Sequence, residues 1–156
     1  MSNALPYLLE KQVAISAVIR ACKLTASLFA SIRKDSQNTL TKSDTSPVTI
    51  ADFAAQAVVN SILHNVFPDD PIVGEEDSKD LRTGEQGKAM AERITELAND
   101  VLSQAPGHFA SVQERAEWGV GSAVRKTIEE TLRAVDQGTA EGGSSGRTWI
   151  EIVFLS

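Results

Sequence analysis

Between about Pro6 and Ile32, apolar Ile15, Val18, Ile19, Cys22 and Phe29 recur at three- and four-residue spacing. That period predicts an amphipathic helix with these residues on its buried face. The polar run Arg33 to Asp44 breaks the period. Ser46-Pro47 then forces an extended or turn conformation, because proline disfavours the α region at the residue before it. A second helix is predicted nearby, with Thr49 and Asp52 in capping-box spacing at its start and Val58, Val59, Ile62, Leu63 and Val66 on one apolar face. Phe67-Pro68 ends it. After the turn Pro68-Asp69-Asp70-Pro71, the short pair Ile72-Val73 predicts a strand end that delivers Gly74-Glu75-Glu76 to a cleft. Met90, Ile94, Leu97 and Val101 predict a third helix that stops before Pro106-Gly107, and Val124, Ile128, Leu132 and Val135 predict a fourth. From His108 to Gly121 no period is readable, and Trp118 finds no place in the pattern. Four glycines between positions 138 and 146 mark a loop, and the run Trp149 to Leu155 has strong strand propensity.

Composition narrows the class. With 156 residues, 42% of them apolar, the chain suits one compact globular domain with one core. A net charge of −6 argues against a nucleic-acid-binding surface, and an anionic substrate would need a cation at its site. The single cysteine, Cys22, cannot close an internal disulfide; on the apolar helix face it reads as a buried, inert thiol. Neither His64 nor His108 has zinc-ligand spacing. A reducing, cytoplasmic setting fits these features. Glu10, Lys11 and Arg20 interrupt the N-terminal apolar segment, so it is expected to be neither a signal peptide nor a membrane span of roughly 20 apolar residues.

Two acidic stretches carry the candidate chemistry. Lys42 to Asp52 reads K-x-D-x-S-P-V-T-x-A-D, and Val73 to Glu76 reads V-G-E-E. Alone, Thr49-x-x-Asp52 is a capping pattern and Glu75-Glu76 a solvated turn. Together they supply carboxylates near a strand end, the natural donors for a hard cation acting on a phosphate ester. The frame resembles the lithium-sensitive inositol monophosphatase superfamily. Within it, F-P-D-D at Phe67 to Asp70 and D-Q-G-T-A-E-G-G-S-S-G-R-T-W at Asp136 to Trp149 look most like the 3′(2′),5′-bisphosphate nucleotidases.

That resemblance implies an α+β fold, the N-terminal part of a layered α-β-α-β-α sandwich. It also implies hydrolysis of 3′-phosphoadenosine 5′-phosphate, or its phosphosulfate counterpart, to AMP or adenosine 5′-phosphosulfate, a reaction of sulfur metabolism. Magnesium would be the cofactor. Glu75 matches the family's metal-ligand glutamate, and Asp52 the aspartate that orients and deprotonates the attacking water. Glu76 and Asp44 would at most support them.

The likeness runs over residues 1–149, about the first half of a family member, and stops where a D-P-[ILV]-D-G-T motif would follow Trp149. Residues 150–156 read Ile-Glu-Ile-Val-Phe-Leu-Ser instead, with Glu151 near the place of the first missing aspartate. The expectation is a truncated form with little activity of its own, and an apolar final strand prone to self-association. An inositol phosphate phosphatase and a non-catalytic interaction module are the alternatives. The loop Glu141 to Thr148 fails as a Walker A motif: Glu141 replaces the first glycine, Arg147 replaces the lysine, and a strand follows rather than a helix.

Overall fold

The computed structural model describes residues 7–35, 46–106, 108–109, 112–121, 123–142 and 146–150. Its elements are α1 (Leu8–Asp35), α2 (Pro47–Val66), β1 (Ile72–Val73), α3 (Gly84–Leu102), β2 (His108–Phe109), β3 (Val112–Gln113), α4 (Ile128–Asp136) and β4 (Trp149–Ile150), with short 3-10 turns at Asp80–Arg82 and Ala116–Trp118. The described part is mostly helical, with one small parallel sheet and one small hairpin. Asp44, Glu151 and the apolar run Ile152 to Leu155, all singled out in the sequence, lie outside the described residues.

Helix α2 is the centre of the packing. It is buried on nearly every side, from Ala51 through Phe53, Val58 and Ile62 to Leu63, and packs against α1, α3 and α4. Polar side chains on a helix buried all round must find internal partners. Gln56 and Asn60 do so, and their partners set the geometry of the candidate site. The helix starts at Pro47, whose fixed φ suits the first helical position, and Ser46 flanks it without a side-chain capping bond. The capping box expected at Thr49 and Asp52 is therefore not formed. Both residues lie inside the helix, which leaves Asp52 without a capping role. A complete capping box instead opens α4, where Thr127 Oγ1 accepts the Glu130 N–H at 3.2 Å and the Glu130 carboxylate accepts the Thr127 N–H at 2.7 Å. Val124, assigned to that helix by its apolar spacing, precedes it.

Helix α1 forms as expected but turns a different face inward. Val13, Ala17, Leu24 and Leu28 are buried together with Ser16 and Arg20, whereas Val18 and Cys22 are exposed. The expected inert thiol is thus open to solvent. The reason is that α1 is apolar on more than one side, so three- and four-residue spacing fits two faces. The face with the ionic partner wins: Arg20 and Glu114 form a buried pair at 2.9 Å. By length and apolarity alone Leu8–Arg33 is enough to cross a membrane, contrary to the sequence expectation, and 33% of its apolar window is buried. A core helix meets the same criterion, and α1 is packed against α2 and α3.

The sheet is set by two distant motifs. β1 and β4 run parallel, with Ile72 opposite Trp149 and Val73 opposite Ile150. On the other side of β1, Val73 bridges Thr139 in antiparallel fashion. The Trp149 ring stacks on Phe67 at 5.3 Å, and its indole N–H donates to Asp70 at 3.1 Å. The Arg147 guanidinium lies 5.0 Å from the Phe67 ring centroid and pairs with Asp70 and Glu10. Phe67-Pro68-Asp69-Asp70 and Arg147-Thr148-Trp149 are therefore two halves of one lock, in which Arg147 joins the Phe67 ring to the Asp70 and Glu10 carboxylates. Trp118, unplaced by its sequence context, is buried at the end of the second 3-10 turn.

Candidate functional site

β1 ends at Val73, and the chain that follows is fastened to two helices. The Gly74 N–H donates to the Gly138 carbonyl at 2.7 Å. Next, the backbone N–H groups of Glu75 and Glu76 both donate to Gln56 Oε1, at 3.1 and 3.0 Å. The other end of the same amide, Gln56 Nε2, donates to the carbonyls of Glu76 at 2.7 Å and Val135 at 2.9 Å. Two residues on, the Ser78 N–H and hydroxyl both donate to Asp136, at 2.9 and 2.8 Å, and Arg82 reaches the same carboxylate at 3.1 Å. The segment 74–78 is thus gripped by α2 at one end and by the last residue of α4 at the other.

Asp52 sits four residues before Gln56 on α2, which puts the two on one face of the helix. The grip on residues 75 and 76 therefore brings Glu75 and Glu76 to Asp52, as their electrostatics record. Burial pushes the Asp52 carboxyl above its usual range, and the Glu75 charge pushes it further. Glu76 is raised by burial first, then by the charges of Asp52, Glu75 and Asp77. Asp77 itself moves the other way, because hydrogen bonds from the Lys79 backbone and side chain hold it below its ordinary value. Among the described residues, the side chains of Asp52, Glu75 and Glu76 make no ion pair.

Asp52 and Glu75 thus lie within electrostatic reach of each other, and Glu76 feels the charge of both. Sequence reasoning missed Gln56, Ser78 and the anchoring role of Asp136. A polar Gln one turn after a candidate catalytic acid, on a helix of Ala, Val and Ile, was the available signal for the first. Among the described residues no group of three or more His, Cys, Asp or Glu side chains is arranged to hold a metal ion.

A carboxyl raised by burial and by a neighbouring like charge has a stability signature. The folded chain binds the Asp52 proton more tightly than the unfolded chain does, so stability falls as pH rises from the ordinary carboxylate value through the raised one. Asp52→Asn is expected to stabilise the chain at pH 7 by roughly 0.5 kcal/mol, a small value because solvent screens a partly exposed pair. The gain should vanish below about pH 4, where the unfolded chain is protonated as well. Thermal unfolding of both forms across pH 3 to 8 checks this, and a destabilised Asp52→Asn at pH 7 would contradict the penalty on the ionised Asp52.

Comparison with known proteins adds the chemical context. The chain is 44% identical over 142 residues to a 3′(2′),5′-bisphosphate nucleotidase of Schizosaccharomyces pombe. It is 39% identical over 145 residues to 3′(2′),5′-bisphosphate nucleotidase 2 of Candida albicans, and 36% identical over 140 residues to 3′(2′),5′-bisphosphate nucleotidase 1 of Arabidopsis thaliana. These alignments take in 87% to 92% of the chain. The chain is homologous to part of the 3′(2′),5′-bisphosphate nucleotidases. It spans 36% to 37% of the length of these relatives, less than the half its motifs suggest. No family model matches it. In this bisphosphate nucleotidase homologue, Asp52 and Glu75 lie within the span that carries the similarity.

Proposed function

We propose that Asp52 and Glu75 belong to a magnesium-dependent phosphatase site. Its substrate is 3′-phosphoadenosine 5′-phosphate or the corresponding phosphosulfate, which loses one phosphate to leave AMP or adenosine 5′-phosphosulfate. The observation that carries this reading is the presentation of two carboxylates without a counter-charge, one from α2 and one from the end of β1, in a chain homologous to bisphosphate nucleotidases.

The donor chemistry fits magnesium. Both side chains offer hard oxygens, and a bound cation would relieve their mutual repulsion. Magnesium commonly takes only one or two carboxylates, completing its shell with water and substrate phosphate oxygens. When bound, it supplies charge neutralisation for the phosphate and a more acidic water. Glu75 would hold the ion. Asp52, with its proton affinity raised, would orient the attacking water and accept its proton. Turnover by these 156 residues alone is expected to be slow, because two carboxylates fix the ion less rigidly than a larger set.

Magnesium-dependent phosphate release from 3′-phosphoadenosine 5′-phosphate tests the reading, with manganese binding to the same chain measured in parallel. Asp52→Asn is expected to lower any release about 100-fold, and Glu75→Ala to weaken manganese binding. Release and binding that both substitutions leave unchanged would reject the site.

A further inference from the structure

We infer that Gln56 is the positioning residue of this site, the side chain that sets where Glu75 stands relative to Asp52. This rests on the reading of Asp52 and Glu75 given above. The Gln56 side chain is 2% exposed, and its amide makes four hydrogen bonds, the full complement of two acceptor and two donor positions. Its orientation is fixed by its partners. Turned over, the oxygen would face two carbonyls and the nitrogen two N–H groups. A glutamate there would keep the acceptors for the 75 and 76 amides but aim a second acceptor at the Glu76 and Val135 carbonyls.

The amide also fits between two glycines that leave no spare room. A Cβ on Gly74 would stand 2.7 Å from Gln56 Cδ, and one on Gly138 would stand 2.8 Å from Nε2. Gln56 is therefore held in place from both sides. Since Asp52 lies on the same rigid helix one turn earlier, the path from the Asp52 backbone to the Glu75 backbone passes through a single helical turn and one amide.

Asn60 provides an internal control. It lies one turn further along α2, is fully buried, and also holds the end of α4, donating to the Ala134 carbonyl at 2.9 Å. It makes no hydrogen bond to residues 74–78. A merely structural role for Gln56 would make the two residues behave alike.

The test measures manganese binding to the 156-residue chain by the free-ion electron paramagnetic resonance signal, in the wild type, Glu75→Gln, Gln56→Met, Asn60→Leu and the double variant Gln56→Met/Glu75→Gln. Glu75→Gln and Gln56→Met are each expected to weaken affinity about tenfold or more, the usual effect of removing an outer partner of a ligand. Asn60→Leu should lower the unfolding temperature yet bind manganese within about twofold of wild type. Gln56→Met should add nothing once Glu75 is already Gln. Weakened binding in Glu75→Gln with unchanged binding in Gln56→Met overturns the positioning role and leaves the acidic site standing. Affinity that Glu75→Gln leaves unchanged overturns the site, and this inference with it. If Gln56→Met does not fold, amide exchange in the unsubstituted chain decides. Glu75 and Glu76 amides as slow as the middle of α2 support the clamp, and fast exchange at both overturns it.

Discussion

Replacing Glu114 by alanine is expected to cost about 3–5 kcal/mol, the usual result of stripping one partner from a buried ion pair. The Glu114 carboxylate accepts the Ser16 hydroxyl at 2.5 Å and two Arg20 N–H groups, each at 2.9 Å. Arg20 also donates to the carbonyls of Val101, in the last turn of α3, and Gln104, just beyond it, and the two charged side chains are 2% and 0% exposed. Without the carboxylate, a guanidinium remains in the core with, among the described residues, only neutral carbonyls as hydrogen-bond partners. Against a typical total stability of about 5–15 kcal/mol, that loss leaves only about 0–2 kcal/mol at the low end of the range, enough to unfold up to about half of the molecules. Arg20→Met/Glu114→Leu, which removes both charges and keeps volume, should recover much of it. Urea unfolding gives the comparison, and a loss below about 1 kcal/mol in Glu114→Ala would mean that the pair is hydrated in solution.

The same pair shows where the sequence was legible and where it was not. Helices α2 and α3 bury most of the apolar residues their spacing marks, Val58, Ile62 and Leu63 in one and Ile94, Leu97 and Val101 in the other, while Val59, Val66 and Met90 are only partly buried against the core. Helix α2 is buried on nearly every side and its apolar positions go inward whichever face is counted, whereas on α3 the polar face differs enough from the apolar one for periodicity to decide. On α1 it could not. Two faces were apolar, and the one that is buried contains Ser16 and Arg20, whose partner Glu114 lies 94 residues away from the arginine. The motif frame identified Asp52 and Glu75 because both belong to recognisable short patterns. Gln56 belongs to none. Its four bonds go to backbone groups, which carry no side-chain signature, and one of them belongs to Val135, 79 residues on. Short elements were equally silent: three residues of 3-10 turn around Trp118 are too few to show a period.

Gly74→Ala is expected to damage the fold and the site together, by about 1–3 kcal/mol in stability and by loss of metal affinity comparable to that of Glu75→Gln. Gly74 does not occupy the left-handed backbone region, so its need for glycine is one of room. The added methyl would meet Gln56 Cδ and Oε1 at 2.7 Å and Nε2 at 2.9 Å. A long side chain can usually swing away from such a contact, but this one is held by four hydrogen bonds and blocked behind by Gly138. Moving it frees the Glu75 and Glu76 amides and the Val135 carbonyl, each buried polar group left unpaired costing about 1–3 kcal/mol where water cannot replace its partner. Gly84→Ala is the control, since Gly84 has φ +66° and nothing lies within 4 Å of where its methyl would stand; it should lose about 1–2 kcal/mol to backbone strain and bind metal normally. If the collision with Gln56 is the cause, Gly74→Ala will cost less in a Gln56→Ala background than in the wild type, because the shorter side chain vacates the space. Strictly additive losses would separate Gly74 from the clamp. Non-additive losses would tie the glycine of Val73-Gly74-Glu75-Glu76 to the amide that sets Glu75 beside Asp52.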